Sequence, residues 1–337
     1  MPDPDRRPTL HVPARDIPIP AHLSPEAQAQ LAQGTLSNPP WPPLEDLAAW
    51  RRLIATMDQM GLAGLTLMAQ QIDAEARQID ADGVPVFVVT PRGMAADDGS
   101  VYLEIHGGAL LWGGGPSCRA MGVVSAGLVG AQVWAVDYRM PPDHPYPAAL
   151  EDCVRTYRAL LRQRSPQKII IGGASAGGNL AAATILRARD EGLPLPAAAV
   201  LMTPELDLTE SGDTFHTMLG VDTALTSRLM PANLVYAAGH DLAHPYLSPL
   251  FGDFTKGFPP TFLQSGTRDL FLSNTVRMHR ALRAAGVAAE LHVFEAATHV
   301  MFINGPESKD RTRELRRFVN VYWKRDAGST RAGRQRR

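Results

Sequence analysis

Cysteine is nearly absent: Cys118 and Cys153 are the only two in 337 residues. Two thiols cannot build a disulfide framework, and neither stands in a CxxC or Cys/His spacing that would hold a metal. Charge of one sign is missing as well. The formal net charge is −1, which gives no electrostatic reason to expect nucleic acid or an anionic membrane surface as a partner. No apolar run approaches the roughly 18 residues that a membrane span requires. The first twenty residues are rich in proline and charge and hold no apolar core of the kind that opens a secretory signal. These absences leave the expectation of a soluble, cytoplasmic protein.

What is present reads as α/β text. The length suits one large α/β domain with insertions or two small domains, and a hydrophobic content of 45% is ordinary for a globular chain. Residues 1 to about 43 are Pro-rich, with one helical stretch over Ser24–Gln33. A second helix is expected after Pro42-Pro43, with Leu44, Leu47, Trp50, Leu53, Ile54 and Met57 on one face. From about residue 84, strand-like runs alternate with helical patterns. The strands are Val84–Thr90, Val101–His106, Gln132–Tyr138, Lys168–Gly172, Ala197–Met202, Pro260–Ser265 and Glu290–Glu295. The helices are Arg119–Leu128, Pro147–Arg164, Asn179–Arg189, Asn274–Ala285 and Glu307–Lys324. Such alternation predicts a mostly parallel central sheet with helices on both faces. The expected division is an N-terminal extension with cap helices (1–80), a first core part (81–204), an insertion without clear strands above the sheet (205–258), a second core part (259–325) and a basic, disordered tail (326–337).

Within that text, Gly173-Ala174-Ser175-Ala176-Gly177 is the most informative segment. It follows the apolar run Lys168-Ile169-Ile170-Ile171 and precedes the Ala-rich run from Asn179 to Arg189. Gly-x-Ser-x-Gly between a strand and a helix is the context in which a serine becomes a nucleophile on a strained turn. The glycines are needed because a Cβ at 173 or 177 would collide with neighbouring backbone. A plain Gly/Ser/Ala turn capping a helix is the bland alternative, and the other strand ends weigh against it.

In an open α/β sheet, functional groups gather at the carboxyl ends of strands. After Val101–Ile105 comes His106-Gly107-Gly108-Ala109, a glycine loop whose backbone N–H groups can approach a ligand. Its place fits one half of an oxyanion hole, the N–H of Ala176 supplying the other. His106 and Gly107 read as support for that loop. The Trp112-Gly113-Gly114-Gly115 run reads as a pocket rim or a simple loop. After the strand ending at Ser265 comes Asp269, and after the strand ending at Glu295 comes His299. One of ten histidines, taken alone, would more often be structural, but the order Ser…Asp…His on successive strand ends reverses those odds. Glu295 is the rival carboxylate. Asp269 is favoured because it lies in the loop after the preceding strand.

Together with the run Val136-Asp137-Tyr138-Arg139-Met140-Pro141-Pro142-Asp143-His144-Pro145-Tyr146-Pro147-Ala148-Ala149-Leu150-Glu151-Asp152 and the segment Gly266-Thr267-Arg268-Asp269-Leu270, these motifs make the chain resemble the hormone-sensitive-lipase-like (bacterial carboxylesterase) family of α/β-hydrolases. The resemblance spans about Ser100 to Phe302. It implies the α/β-hydrolase fold with a two-part helical cap, a catalytic triad of Ser175, Asp269 and His299, and oxyanion donors at Gly108, Ala109 and Ala176. It also implies structural roles for Asp137 and the Glu151-Asp152 pair, no metal or organic cofactor, and a homodimer as a possible assembly. Three departures stand out. Ala109 replaces a usual third glycine, Ala174 replaces the usual Asp or Thr before the nucleophile, and Val300 follows the base where close relatives often have glycine.

The expected activity is hydrolysis of small or short-acyl carboxylic esters through an acyl-enzyme, with lactone, carbamate or amide cleavage as variants. A different class, a non-catalytic ligand-binding protein such as the gibberellin receptors, is disfavoured because those lack the histidine that stands here as His299. Trp112, Glu205, Met301 and Phe302 are the candidate pocket residues. A small-molecule ester is the expected partner.

Overall fold

The computed structural model describes residues 9–94 and 98–325; the tail expected to be disordered, 326–337, lies outside them. Eight strands form one sheet: β1 (Ala74–Asp80), β2 (Pro85–Pro91), β3 (Val101–Ile105), β4 (Gln132–Val136), β5 (Ile169–Ala174), β6 (Ala198–Met202), β7 (Thr261–Gly266) and β8 (Ala289–Phe294). Their order is β1-β2-β4-β3-β5-β6-β7-β8. The pairs β1/β2 and β2/β4 are antiparallel, and all others are parallel. The helices are α1 (Pro25–Ala32), α2 (Leu47–Ala69), α3 (Pro116–Val129), α4 (Ala148–Leu161), α5 (Ala176–Asp190), α6 (Thr214–Thr217), α7 (Met230–Ala237), α8 (Leu272–Ala284) and α9 (Gly305–Trp323). Among the described residues, no helix is long and apolar enough to cross a membrane.

The central strands are covered on both faces, so they read as near-continuous apolar runs. Val101, Leu103, Ile105, Ile169 and Ile171 turn to a cluster shared with α4 and α5, whereas Tyr102, Ile170, Val200 and Phe262 turn to α3 and α9. Seven strands follow the alternation read from sequence. The eighth, β1, lies in the stretch assigned to the N-terminal extension and corrects that boundary. Its residues Ala-Glu-Ala-Arg-Gln-Ile-Asp have no fully buried member. An edge strand paired on one side and partly solvated on both faces leaves little hydrophobic pattern to read.

Two segments roof the carboxyl ends of the strands. From the N-terminal side, α2 is capped by Asp46, whose Oδ1 accepts from the Ala49 N–H at 2.9 Å. It buries Trp50 and Leu53, while Leu44 and Leu47, assigned to the same face, stay exposed. From the β6–β7 connection, Phe215, Leu229 and Ala232 join Trp50 and Leu53 in one apolar cluster. The other N-terminal helix, α1, grips the loop after β8. Leu23, Ala27 and Leu31 pack on Ala296, Ala297, Met301 and Phe302. Gln30 donates to the Met301 carbonyl at 2.6 Å and accepts from the Ile303 N–H at 3.1 Å. Ser24 donates its N–H and hydroxyl to Glu307 at 2.8 and 2.7 Å.

Candidate active site

Ser175 sits between β5 and α5 with φ 58° and ψ −124°, a left-handed conformation that costs a non-glycine residue on the order of 1–3 kcal/mol. Its surroundings enforce the turn. A Cβ at Gly177 would lie 1.9 Å from the Ile105 carbonyl oxygen, and one at Gly173 would lie 2.2 Å from the same atom. The Ser175 N–H donates to the Met202 carbonyl at 2.9 Å, and its own carbonyl accepts from the Glu205 N–H at 3.2 Å. Neighbouring strand ends thus hold the turn while its hydroxyl faces His299.

His299 comes from the loop after β8, and Asp269 from the loop after β7. The loops meet because Gly266 lets the Ala297 backbone approach; a Cβ there would be 2.0 Å from the Ala297 oxygen. The Ser175 Oγ is 2.9 Å from His299 Nε2, and His299 Nδ1 is 3.1 Å from Asp269 Oδ1. Asp269 is fully buried, with Oδ1 also accepting from the Phe271 N–H at 2.9 Å and Oδ2 from the Ser265 hydroxyl at 2.7 Å. That carboxylate fixes the tautomer with the proton on Nδ1 and leaves Nε2 free to accept. The Phe271 ring meets the imidazole edge-on at 4.8 Å. Burial acts to lower the His299 pKa, but Asp269, with Asp222 and Glu205, outweighs it and leaves the pKa above 6.5. Glu295, the rival carboxylate, is exposed.

Sequence reasoning missed Asp222. Fully buried, it accepts from the N–H groups of Leu270 (2.9 Å), Ala224 (2.9 Å) and His299 (3.3 Å), so it ties the loops after β7 and β8 to the β6–β7 connection. Nothing in the pattern around Gly220-Val221-Asp222 marks it out beyond a local turn to Ala224, because the partners that tie the loops together, the Leu270 and His299 amides, are far away in the chain. Asp58 was missed for the same reason. From α2 it accepts from the Gly113 N–H at 2.8 Å.

The glycine loop lies against the Ser175 turn: a Cβ at Gly107 would sit 3.4 Å from that of Ser175. Gly108 has φ 121°, and any Cβ there would meet the Trp112 carbonyl oxygen at 1.9 Å. Ala109 and Leu110 follow with φ 50° and 63°. The Ala109 methyl, where glycine is usual, packs into the apolar roof. Among the described residues, the N–H groups of Gly108 and Ala109 have no hydrogen-bond acceptor, as donors reserved for a ligand would. His106 supports the loop. Its Nδ1–H donates to the Gly107 carbonyl at 2.8 Å, its ring stacks on Tyr138 at 4.1 Å, and burial drives its pKa to about 4, so it is neutral. Asp137 accepts from the Gly115 N–H at 2.9 Å, and Asp152 holds the Arg139 guanidinium at 2.8 and 2.9 Å.

His106, Cys118 and Asp137 offer ligand atoms within 4.8 Å of one another. Burial pushes the Cys118 thiol well above its ordinary pKa. His106 and Asp137 already tie the loop.

A cavity of about 510 Å³ opens onto Ser175 and His299, with Trp41, Leu53, Met57, Trp112 and Met301 among its walls. Trp41 stacks between Trp50 and Trp112 at 5.8 and 6.4 Å. Two of the expected pocket residues do not line it. Glu205 is fully buried beneath the site, because the chain turns down after Pro204 into the core rather than up into the cavity. Burial raises its pKa to about 8, with the nearby Glu210 charge adding to the effect. Phe302 points the other way, into the α1 contact.

A model of the alpha/beta hydrolase fold family matches residues 102–303. The chain is 37% identical to an acetyl-hydrolase of Streptomyces hygroscopicus over 211 residues, 61% of this chain and 69% of that protein. The crystal structure of an esterase, E25, aligns with a TM-score of 0.84 at 34% identity, over 92% of this chain and 98% of that one. An esterase from the bacterial hormone-sensitive lipase family aligns with a TM-score of 0.74 at 32% identity, over 79% and 90%.

Proposed function

Because the chain belongs to the hormone-sensitive-lipase-like bacterial carboxylesterases of the alpha/beta hydrolase fold, and is thereby a carboxylesterase-type hydrolase, we propose that it cleaves small carboxylic esters through Ser175, His299 and Asp269. The observation carrying this reading is the continuous hydrogen-bond chain from Ser175 Oγ through the imidazole to Asp269, at 2.9 and 3.1 Å. Ser175 Oγ attacks the acyl carbon while its proton passes to His299 Nε2. The N–H groups of Gly108, Ala109 and Ala176 hold the oxyanion as the tetrahedral intermediate forms. Collapse expels the alcohol, which takes the proton from His299 and leaves an acyl-Ser175 ester. Water, deprotonated by His299, attacks that ester, and a second collapse frees the acid and regenerates Ser175. A cytoplasmic location belongs to the same reading, supported by two buried, unpaired cysteines.

A serine-directed organophosphate tests the assignment: peptide mass mapping should find the adduct on Ser175 alone, together with complete loss of p-nitrophenyl butyrate hydrolysis. An inhibited enzyme labelled elsewhere would sink it. The acid limb of the pH profile provides a second check. His299 must be neutral to act as base, and its pKa lies above 6.5. The kcat/KM should therefore rise with pH through a midpoint above 6.5, whereas a profile flat from pH 5 to 8 would reject His299 as the base.

Substrate size follows from the walls. The bulky Trp112 and Met301 flank the glycine loop and the base, and the cavity is roofed by packed helices. Short acyl groups of roughly two to six carbons should show the highest kcat/KM, since longer chains reach near-attack geometry only by displacing packed side chains. Matched, sub-micellar p-nitrophenyl acetate, butyrate, octanoate and palmitate would reveal this order; a maximum at palmitate would overturn it.

A further inference from the structure

The active-site cavity has a polar floor that the proposed chemistry leaves unused. Besides Ser175 and His299 it is lined by Glu104 of β3, Gln264 of β7, Ser125 of α3 and Arg311 of α9. Strand register places them. Glu104 pairs with Gly172, three residues before the nucleophile, so it lies about 10 Å along the sheet from Ser175 at 3.3 Å per residue. Gln264 pairs with Met202, which in turn pairs with Ala174, so these side chains share the face covered by α3 and α9.

This floor is poorly satisfied. Glu104 is 1% exposed, as is Gln264. Among the described residues, neither Glu104 Oε2 nor Gln264 Oε1 has a hydrogen-bond partner, although buried polar atoms nearly always have one. Burial raises the Glu104 pKa to about 8, with the Ser125 hydroxyl acting in the opposite sense, so near neutral pH the group is an uncharged carboxyl able to donate a hydrogen bond. Arg311 stands one helical turn before the buried Leu315, on the face that α9 turns inward. It is half-buried, and burial lowers its pKa. It forms no ion pair or hydrogen bond among the described residues. It is also the one Lys or Arg among the residues lining the cavity. The other acid on the wall, Asp58, is engaged with the Gly113 N–H. A desolvated guanidinium without an acid partner and a neutral carboxyl that can donate, both lining one cavity, are complementary to an anion with two oxygens, and Gln264 can offer it an amide N–H.

We propose that this end of the cavity binds a carboxylate carried by the substrate, making the preferred substrates esters with a free carboxylate on one arm. The inference rests on the Ser175-centred reading for the position of the scissile bond. The carboxylate can sit on either the acyl or the alcohol arm, and paired substrates separate the two: ethyl hydrogen adipate against ethyl hexanoate, and 4-acetoxybutyrate against butyl acetate. In at least one pair, the anionic-to-neutral ratio of kcat/KM should fall about tenfold or more in Arg311→Gln, the scale of a lost charge-assisted bond. Arg311→Lys should recover part of the ratio. Calorimetric binding of adipate should weaken to a similar extent in Arg311→Gln, and this readout does not depend on turnover. Ratios unchanged in both pairs, or an unchanged adipate Kd, would overturn the proposal. A wild-type protein that binds adipate through Arg311 yet cleaves no ester would instead contradict the Ser175 reading alone.

Discussion

Ser175→Ala should lower kcat by at least about 10⁴-fold while the protein stays folded, because nucleophile and base act as one unit and little remains when either is removed. The fold should survive for a local reason. The strained turn is held by the Met202 and Glu205 backbone bonds and by the close approach of Gly177 to Ile105, none of which involves the hydroxyl. The side chain contributes one hydrogen bond, to His299, with a net worth of about 1 kcal/mol. The melting temperature should therefore move by no more than about 4 °C for a chain of this size. Initial rates on p-nitrophenyl butyrate, read beside a thermal melt, decide the matter. Retention of more than a few per cent of activity in a cleanly folded variant would remove Ser175 from the mechanism.

Asp269→Asn should cost less than loss of the nucleophile, and the hydrogen bonds say why. Oδ1 accepts from both the Phe271 N–H and His299 Nδ1, whereas Oδ2 meets only the Ser265 hydroxyl. An asparagine keeps its carbonyl at the Oδ1 position to satisfy the Phe271 N–H. Its amide then faces Ser265, whose hydroxyl can rotate to accept. His299 retains an acceptor at Nδ1 and the productive tautomer, and only the negative charge opposite the developing imidazolium is lost. A charge-assisted bond of about 1.5–3 kcal/mol converts to a fall in kcat of about 10²-fold. The acid limb should also move to lower pH, because the largest influence raising the His299 pKa is gone. A fall near 10⁴-fold would show that the amide nitrogen had turned toward the imidazole and inverted its tautomer. Full activity with an unmoved acid limb would exclude Asp269 from the reaction.

Ser175 and Asp269 were legible because each follows a strand the hydrophobic pattern announces, and His299 by its place in the order after β8. Ile169-Ile170-Ile171 marks β5, the Phe262-Leu263 pair marks β7, and Ser175 and Asp269 stand just beyond these runs. Most of the sheet was legible because burial on both faces made its strands apolar; β8 was read without a fully buried residue, whereas β1, where Glu75, Arg77 and Gln78 face solvent, was not. Side-chain direction after a strand end was harder to read. Glu205 and Phe302 are near the site in sequence yet turn away from the cavity. Asp58, Glu104 and Arg311 come from α2, β3 and α9 and line one cavity only in the folded chain, and Asp222 reaches the Leu270 and His299 amides from the β6–β7 connection. Their signal is tertiary.

The grip of α1 on the base loop has a consequence for how the protein is made. Gln30 and its partner Met301 are separated by 271 residues, so at typical translation rates the helix leaves the ribosome about 15–50 s before the loop that completes its contact. Throughout that interval the residues that cover Leu23, Ala27 and Leu31 in the folded protein have not yet been made. His299 lies in that same late loop, so its position too is fixed only once α1 has found its partners.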